Sequence, residues 1–380
     1  MCDTHSGEGK MKAGIMTIPL HEAVGKVLAH DITEIRKDEF KGRAFKRGQI
    51  VREEDICYLQ RLGKEHLFIL TLSDDEMHED DAARLLASAL MGRGVEIQGE
   101  PKEGKINIVA AKDGLLKVNK DLLLEFNMLG DAMCATMHNN TVVTKGRIVA
   151  GTRAIPLVLK KRIVEEAVSV ARKGQGIIEV KEMRRPRAGV VITGNEVYHG
   201  RIKDAFAPVV EKKIRDFDGE VVGIYYAPDD EGFIEARLRE LLSAGADLLI
   251  TTGGMSVDPD DVTRFAVRRL GAVGMTYGSA VLPGAMFLIA YVPVAPSADK
   301  TSPLPQQGSS EFSDSCSAGL IPLLGIPACG MYHKTTVFDL ILPRVLASEW
   351  IGRRELAELG HGGLCLDCGE CTFPVCPFGT

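Results

Sequence analysis

The chain has 380 residues, of which 45% are hydrophobic, 26% charged and only 6% aromatic. This length predicts two or three domains, each able to bury an aliphatic core. A net charge of −6 argues against a nucleic-acid surface, although backbone N–H groups of an acidic protein can still bind an anion. No apolar run reaches the ~20 residues that cross a bilayer, and the polar start lacks a signal-peptide core, so we expect a cytoplasmic protein without a membrane partner.

The first half of the sequence alternates short strand patterns with amphipathic segments. Apolar residues recur at helical spacing in Glu53–Leu62, Asp80–Met91 and Lys160–Lys173, which predicts three helices. Between them, apolar and polar residues alternate and glycines mark turns, as in a mixed sheet. We therefore predict an N-terminal α+β segment over residues 11–72 and a small mixed-sheet domain over residues 73–185.

The pattern changes after residue 185. Three short apolar runs, AGVVIT, GEVVGIYYA and ADLLIT, alternate with helical patterns over Asp204–Phe217, Glu231–Ala244 and Asp260–Leu270. Strands that are apolar on both faces and separated by helices predict an α/β fold, a parallel sheet with helices on both faces. We place this domain at residues 186–348, with the Ser- and Pro-rich stretch 294–319 as a loop insertion.

Three loops follow the carboxyl ends of these strands, where parallel sheets bind their ligands. Each loop carries small, hydroxyl-bearing or carboxylate residues, which suit an anionic ligand that forms hydrogen bonds. The candidate residues are Thr193, Gly194, Asn195 and Glu196 in the first loop, Asp229 and Asp230 in the second, and Thr252, Gly253, Gly254, Ser256, Asp258 and Asp261 in or just after the third.

The glycine pair of the third loop predicts an anion-binding turn. Adjacent glycines and hydroxyls can present consecutive backbone N–H groups to a phosphate without any lysine. The carboxylates of Asp258 and Asp261 suit Mg²⁺ or a general base. Asp230 has a second explanation, because it stands where the N-cap of the following helix is expected.

The runs TGNEV, APDDE and TTGGMSVDPDDVT together resemble the molybdopterin-binding domain of molybdopterin adenylyltransferases, molybdopterin molybdenumtransferases and gephyrin-type fusion proteins. The resemblance implies a pterin phosphate on the glycine turn. It implies catalytic roles for Glu196 and Asp261, and a binding role for Asp204 at a helix start. In molybdenumtransferases the carboxylates would organise Mg²⁺ and molybdate, whereas adenylyltransferases would activate the phosphate with ATP.

The resemblance also has two departures. The large inserted domain of the molybdenumtransferases is not recognisable in residues 71–185, and their LPGNP loop is replaced by GIPACG at 325–330. Whether the protein is an enzyme is therefore open. We weigh a cofactor-assembly transferase against a non-catalytic carrier or sensor that serves a molybdoenzyme, and against a nucleotide-binding module of the same fold. Homo-oligomers are compatible with each interpretation.

The last residues, 360–380, form a cysteine-rich tail. Four thiols fall within twelve residues, a spacing that predicts one inorganic centre. A ferredoxin-type run differs by one residue, so an iron–sulfur cluster, a Zn²⁺ site with four cysteine ligands and a thiol cluster without metal all remain open. We expect the tail to add little apolar area to the sheet, so that truncation after Glu358 leaves the core folded. The predicted ligands are Cys365, Cys368, Cys371 and Cys376.

Overall fold

The computed structural model describes residues 15–36, 40–70, 72–255, 261–294 and 319–379. The chain divides into two compact units, Met1–Met137 with Val143–Val180 and His138–Val142 with Lys181–Thr380. Among the residues in these ranges, no helix combines the length and the apolar character needed to cross a membrane. The stretch predicted as a loop insertion lies almost entirely outside the described residues.

The first part of the chain is rich in short strands, and most of them pair in antiparallel fashion. Its elements are β1 (Ile15–Pro19), β2 (Ile32–Arg36), β3 (Phe40–Phe45), α1 (Ile56–Arg61), β4 (His66–Leu70), β5 (Glu76–His78), α2 (Glu79–Leu90), β6 (Val95–Lys102), β7 (Lys105–Ala110), β8 (Gly114–Val118), α3 (Lys120–Asn127), β9 (Ala132–Thr136), β10 (Val142–Val143), β11 (Ile148–Ala154), β12 (Val158–Lys160), α4 (Lys161–Arg172) and β13 (Ile178–Lys181).

Two separate hydrophobic clusters stabilise this part. One lies within residues 18–67, and the other joins α2 and α4 to the strands between them. The sequence predicted both helices, α2 and α4, because their apolar residues repeat every three to four positions. Both are observed, and each end lies one residue from the predicted one.

The second unit contains the predicted α/β domain. Its elements are β14 (Arg187–Thr193), α5 (Asn195–Tyr198), α6 (Phe206–Arg215), β15 (Glu220–Ala227), α7 (Glu231–Ser243), β16 (Leu248–Thr252), α8 (Thr263–Arg269), β17 (Val273–Tyr277), β18 (Leu288–Pro293), β19 (Leu320–Ile326), α9 (Val337–Leu346) and α10 (Arg353–Glu358).

One six-stranded sheet forms the centre of this unit, in the order β15-β14-β16-β19-β18-β17. The first four strands are parallel, and β18 and β17 add an antiparallel edge. Helices α6 and α9 contribute to the apolar cluster on one face, and α7 and α8 to the cluster on the other. The predicted fold class, a sheet of mostly parallel strands covered on both faces, is therefore confirmed.

The C-terminal tail corrects one expectation. Phe378 is only 5% exposed and belongs to the same buried cluster as α6 and α9. Phe373, Cys365 and Cys376 are partly buried and pack against that cluster. The expectation that the tail adds little apolar area is therefore wrong, because its aromatic side chains fold back onto the helical layer.

We expect Phe378→Ala to lower the free energy of unfolding of the second unit by about 3 kcal/mol, a typical loss for a buried aromatic ring. Val375→Ala is the matched control, because Val375 is 84% exposed in the same tail. It should change the free energy by less than about 0.5 kcal/mol. Urea unfolding followed by circular dichroism measures both values. Equal effects of the two substitutions would contradict the packing described here.

Candidate functional site

The strand order creates a topological switch point between β14 and β16. β15 follows β14 in the chain and pairs on one side of it, while β16 pairs on the other side. The connections that leave β14 and β16 therefore run to opposite faces of the sheet and leave a crevice at its carboxyl edge, where open α/β sheets bind ligands. The loops that flank this crevice begin after Thr193 and Thr252, two of the predicted binding residues.

A network of threonine hydroxyls fixes these two loops to each other. The Thr193 hydroxyl donates to the backbone oxygen of Thr252 at 2.8 Å and lies 3.4 Å from the Thr263 hydroxyl. Thr263 in turn donates to the backbone oxygen of Gly253 at 3.2 Å. Thr193 and Thr263 are both buried, so water does not compete with these bonds. Sequence reasoning missed Thr263, which stands at the start of α8 and ten residues after the glycine turn.

Both glycines of the third loop have positive φ, +81° at Gly253 and +58° at Gly254. This confirms the predicted turn geometry, which residues with a Cβ rarely adopt. A Cβ on Gly253 would lie 2.7 Å from the backbone oxygen of Thr193, and one on Gly254 would collide with the Thr263 hydroxyl. Contacts within the protein therefore already require glycine at both positions, whether or not a ligand binds.

Two buried hydroxyls at the end of β16 lack a hydrogen-bond partner within the described ranges, those of Thr251 and Thr252. Both residues are fully buried. A buried polar group that forms no hydrogen bond costs about 1–3 kcal/mol, which a bound ligand or water would recover. The sequence pointed to Thr252, and its neighbour Thr251 is an addition from the structure.

Two of the predicted carboxylates cap helices. Asp204 accepts hydrogen bonds from the backbone N–H groups of Phe206 at 2.8 Å and Ala207 at 3.0 Å, at the start of α6. Asp230 accepts one from the Phe233 N–H at 2.7 Å and is the N-cap of α7. The capping alternative for Asp230 is therefore observed. Ligand binding by either residue stays a prediction.

The first and second loops are joined by a reciprocal pair of hydrogen bonds. The Asn195 N–H donates to an Asp229 carboxylate oxygen at 3.0 Å, and the Asp229 N–H donates to the Asn195 side-chain oxygen at 3.3 Å. At the end of β15, the Tyr226 hydroxyl donates to Asp204 at 3.3 Å. Burial and the neighbouring Asp204 raise the pKa of Tyr226. All three loops thus meet at one edge of the sheet, as the sequence predicted.

Glu196 and Asp261 are the remaining candidates that lie within the described residues. The Glu196 carboxylate lies against Gly194, since a Cβ on that glycine would be 2.8 Å from a Glu196 oxygen. Asp261 stands two residues before α8. Ser256 and Asp258 lie outside the described residues. The proposed roles of these four residues stay predictions.

The four C-terminal cysteines lie in a segment without helix or strand. Each has a free thiol, and all four line one cavity of about 330 Å³ together with His333 and Thr335. Hydrogen bonds from the Thr335 hydroxyl and from the Phe373 backbone lower the pKa of Cys371. In the ranges that the structure describes, no three Cys, His, Asp or Glu side chains converge closely enough to hold a single metal ion.

Two family models match separate parts of the chain. Residues 189–346 match the family described as "Probable molybdopterin binding domain", so this part of the chain is a domain of that family. Residues 17–71 match a second family, described only as a domain of unknown function. The molybdopterin-binding match spans β14 to the end of α9 and contains all three loops.

Individual relatives cover smaller parts of the chain. A CinA-like protein from Mycobacterium avium (strain 104) is 40% identical over 83 residues, which are 22% of this chain and 19% of that protein. The chain thus spans about a fifth of the length of the curated relatives it matches. The tungsten cofactor synthesizing protein MoaB from Pyrococcus furiosus is 14% identical, with 44% of this chain and 98% of that chain covered and a TM-score of 0.31. A molybdopterin biosynthesis protein from Mycobacterium abscessus is 29% identical, covers 23% of this chain and 54% of its own, and has a TM-score of 0.22.

We expect Gly254→Ala to lower the free energy of unfolding by more than about 2 kcal/mol, because the new methyl group adds a clash with Thr263 to the cost of positive φ. Gly271→Ala is the matched control. Gly271 has a φ of +78° and open space around its Cβ position, so only the conformational cost of about 1 kcal/mol applies. Urea titration of both variants separates the two contributions, and equal losses would show that the clash is absent.

Proposed function

We propose that this protein binds molybdopterin through its phosphate at the crevice between β14 and β16, and that it acts in the biosynthesis of the molybdenum cofactor. The observation that carries the proposal is the turn directly after β16, where Gly253 and Gly254 both have positive φ. The turn lies in a domain of the probable molybdopterin-binding family. A glycine turn can present backbone N–H groups to a phosphate oxygen, and a threonine hydroxyl near the turn can donate to it as well. Thr251 and Thr252 are consecutive strand residues with buried hydroxyls, so at most one of the two faces this site.

The rigidity of the site supports tight binding. Thr193 and Thr263 fix the glycine turn, and Asn195 with Asp229 fixes the neighbouring loops. A ligand that enters a preformed site does not have to order loops, which would otherwise reduce its affinity. The net charge of −6 does not oppose this, because the proposed contacts are hydroxyl groups and backbone N–H groups at close range.

Catalysis is the second step of the proposal. We propose Glu196 and Asp261 as the carboxylates for chemistry, because they stand at the positions for which the family resemblance implies catalytic roles, whereas Asp204 and Asp230 cap helices. Glu196 and Asp261 would organise Mg²⁺ around the phosphate. Molybdate and ATP are the proposed co-substrates for insertion of the metal and for activation of the phosphate, respectively. A carrier of finished cofactor would use the same binding loops without turnover.

Thr252→Val tests the binding site, because valine keeps the shape of threonine and removes the hydroxyl. We expect the affinity for molybdopterin to fall about tenfold, the effect of one hydrogen bond to a charged group. The free protein should be as stable as the wild type or more so, since a buried hydroxyl without a partner is lost. Thr276→Val, a buried threonine of β17, is the control and should leave the affinity unchanged. Fluorescence titration under exclusion of oxygen measures both, and an unchanged affinity of Thr252→Val would overturn the site.

Asp261→Asn tests the catalytic step. The substitution removes a charge and hardly changes shape, so Mg²⁺-dependent turnover should fall at least about tenfold while the dissociation constant for molybdopterin changes less than about threefold. Product formation from molybdopterin with molybdate, Mg²⁺ and ATP provides the rate. Undiminished turnover would exclude a catalytic role for Asp261. A wild-type protein that binds molybdopterin without forming product would favour the function of a non-catalytic carrier.

A further inference from the structure

The loop that carries the four cysteines is fixed to the second unit at both ends. At its start, the Cys365 N–H donates to the Leu282 backbone oxygen at 2.8 Å, next to a β-bridge between Leu282 and Leu364. At its end, Phe378 is buried in the core and the Gly379 N–H donates to the Gly362 backbone oxygen at 2.9 Å. The thiols are therefore held by a closed loop and not by a free tail.

Within this loop, the four thiols line one cavity, and among the described residues no three of them converge as a site for a single metal ion. Cys365 and Cys376 are partly buried against the core, whereas Cys368 and Cys371 are exposed, and all four line the cavity of about 330 Å³. A structural zinc site requires four sulfurs about 2.3 Å from one ion, which brings the thiols into mutual contact. An iron–sulfur core is a larger object with the same requirement for four cysteine ligands. A cavity of about 330 Å³ has room for the larger group, the iron–sulfur core.

The other residues that line this cavity include side chains that would stabilise an iron–sulfur cluster. They include residues 332–335, which follow β19 and precede α9. The Thr335 hydroxyl lies 3.4 Å from the Cys371 sulfur, and Lys334 also lines the cavity. A cluster bound by four thiolates is anionic, so a lysine beside it and hydrogen bonds to its sulfurs are stabilising.

We propose that Cys365, Cys368, Cys371 and Cys376 bind one iron–sulfur cluster in this cavity. Their order along the chain, with two, two and four intervening residues before Pro377, is that of a compact four-cysteine run. This site is independent of the proposed molybdopterin site, because no ligand residue is shared. The cluster would fix the cysteine loop to residues 332–335 and so to the segment that leaves β19.

The first test is the metal content of the full-length protein. We expect protein isolated without oxygen, or incubated with ferric iron, sulfide and a dithiol reductant under argon, to contain iron and acid-labile sulfide in equal amounts, at least about two of each per chain. An absorption band near about 400 nm should accompany them. Zinc in place of iron, or no iron after this incubation, would overturn the proposal.

Variants assign the iron to these thiols. Cys368→Ser and Cys371→Ser affect exposed side chains, so they should keep the fold, as checked by thermal unfolding, and lose most of the iron and of the absorption band. Cys57→Ser is the matched control, since Cys57 is an exposed cysteine of α1. It should retain the full iron content. Iron that is retained in both tail variants, or lost equally in Cys57→Ser, would contradict the assignment.

Discussion

Parallel pairing of β14 with both β15 and β16 is the constraint on which the second unit depends. Parallel strands cannot be joined by a tight turn, so each connection must cross a face of the sheet, here through α6 and α7. The two crossovers lie on opposite faces because the third strand is added on the other side of the first. Because β15 and β16 are added on opposite sides of β14, helices cover both faces of the sheet. The same strand order opens the crevice at the carboxyl edge.

The crevice is lined by groups that have already formed hydrogen bonds with one another. Thr193, Thr263, Asn195 and Asp229 use their polar atoms to fix the loops in place. The glycine turn is therefore held in place by contacts within the protein. Asp204 and Asp230, which looked equivalent to the other carboxylates along the sequence, cap helices.

The cysteine loop shows how packing changes the meaning of a motif. A run of cysteines near the end of a chain reads as an appended module, but Phe378 belongs to the core under α9. The proposed metal binding would therefore be coupled to the stability of the α/β domain, since the residues that flank the thiols also cover the helical layer. Loss of the loop would expose apolar surface as well as remove the ligands.

The sequence by itself determined the local elements and the positions of the three loops. Continuous apolar runs and three-to-four-residue repeats identify strands and helices, because these patterns reflect burial on two faces or one. The glycine pair predicted a turn after β16, and the structure shows positive φ at both Gly253 and Gly254. Tertiary structure decided which groups meet: Thr263 reaches Thr193 from 70 residues away, and Phe378 returns to the core. Contacts between distant residues leave no periodic signal, so only the folded chain reveals them.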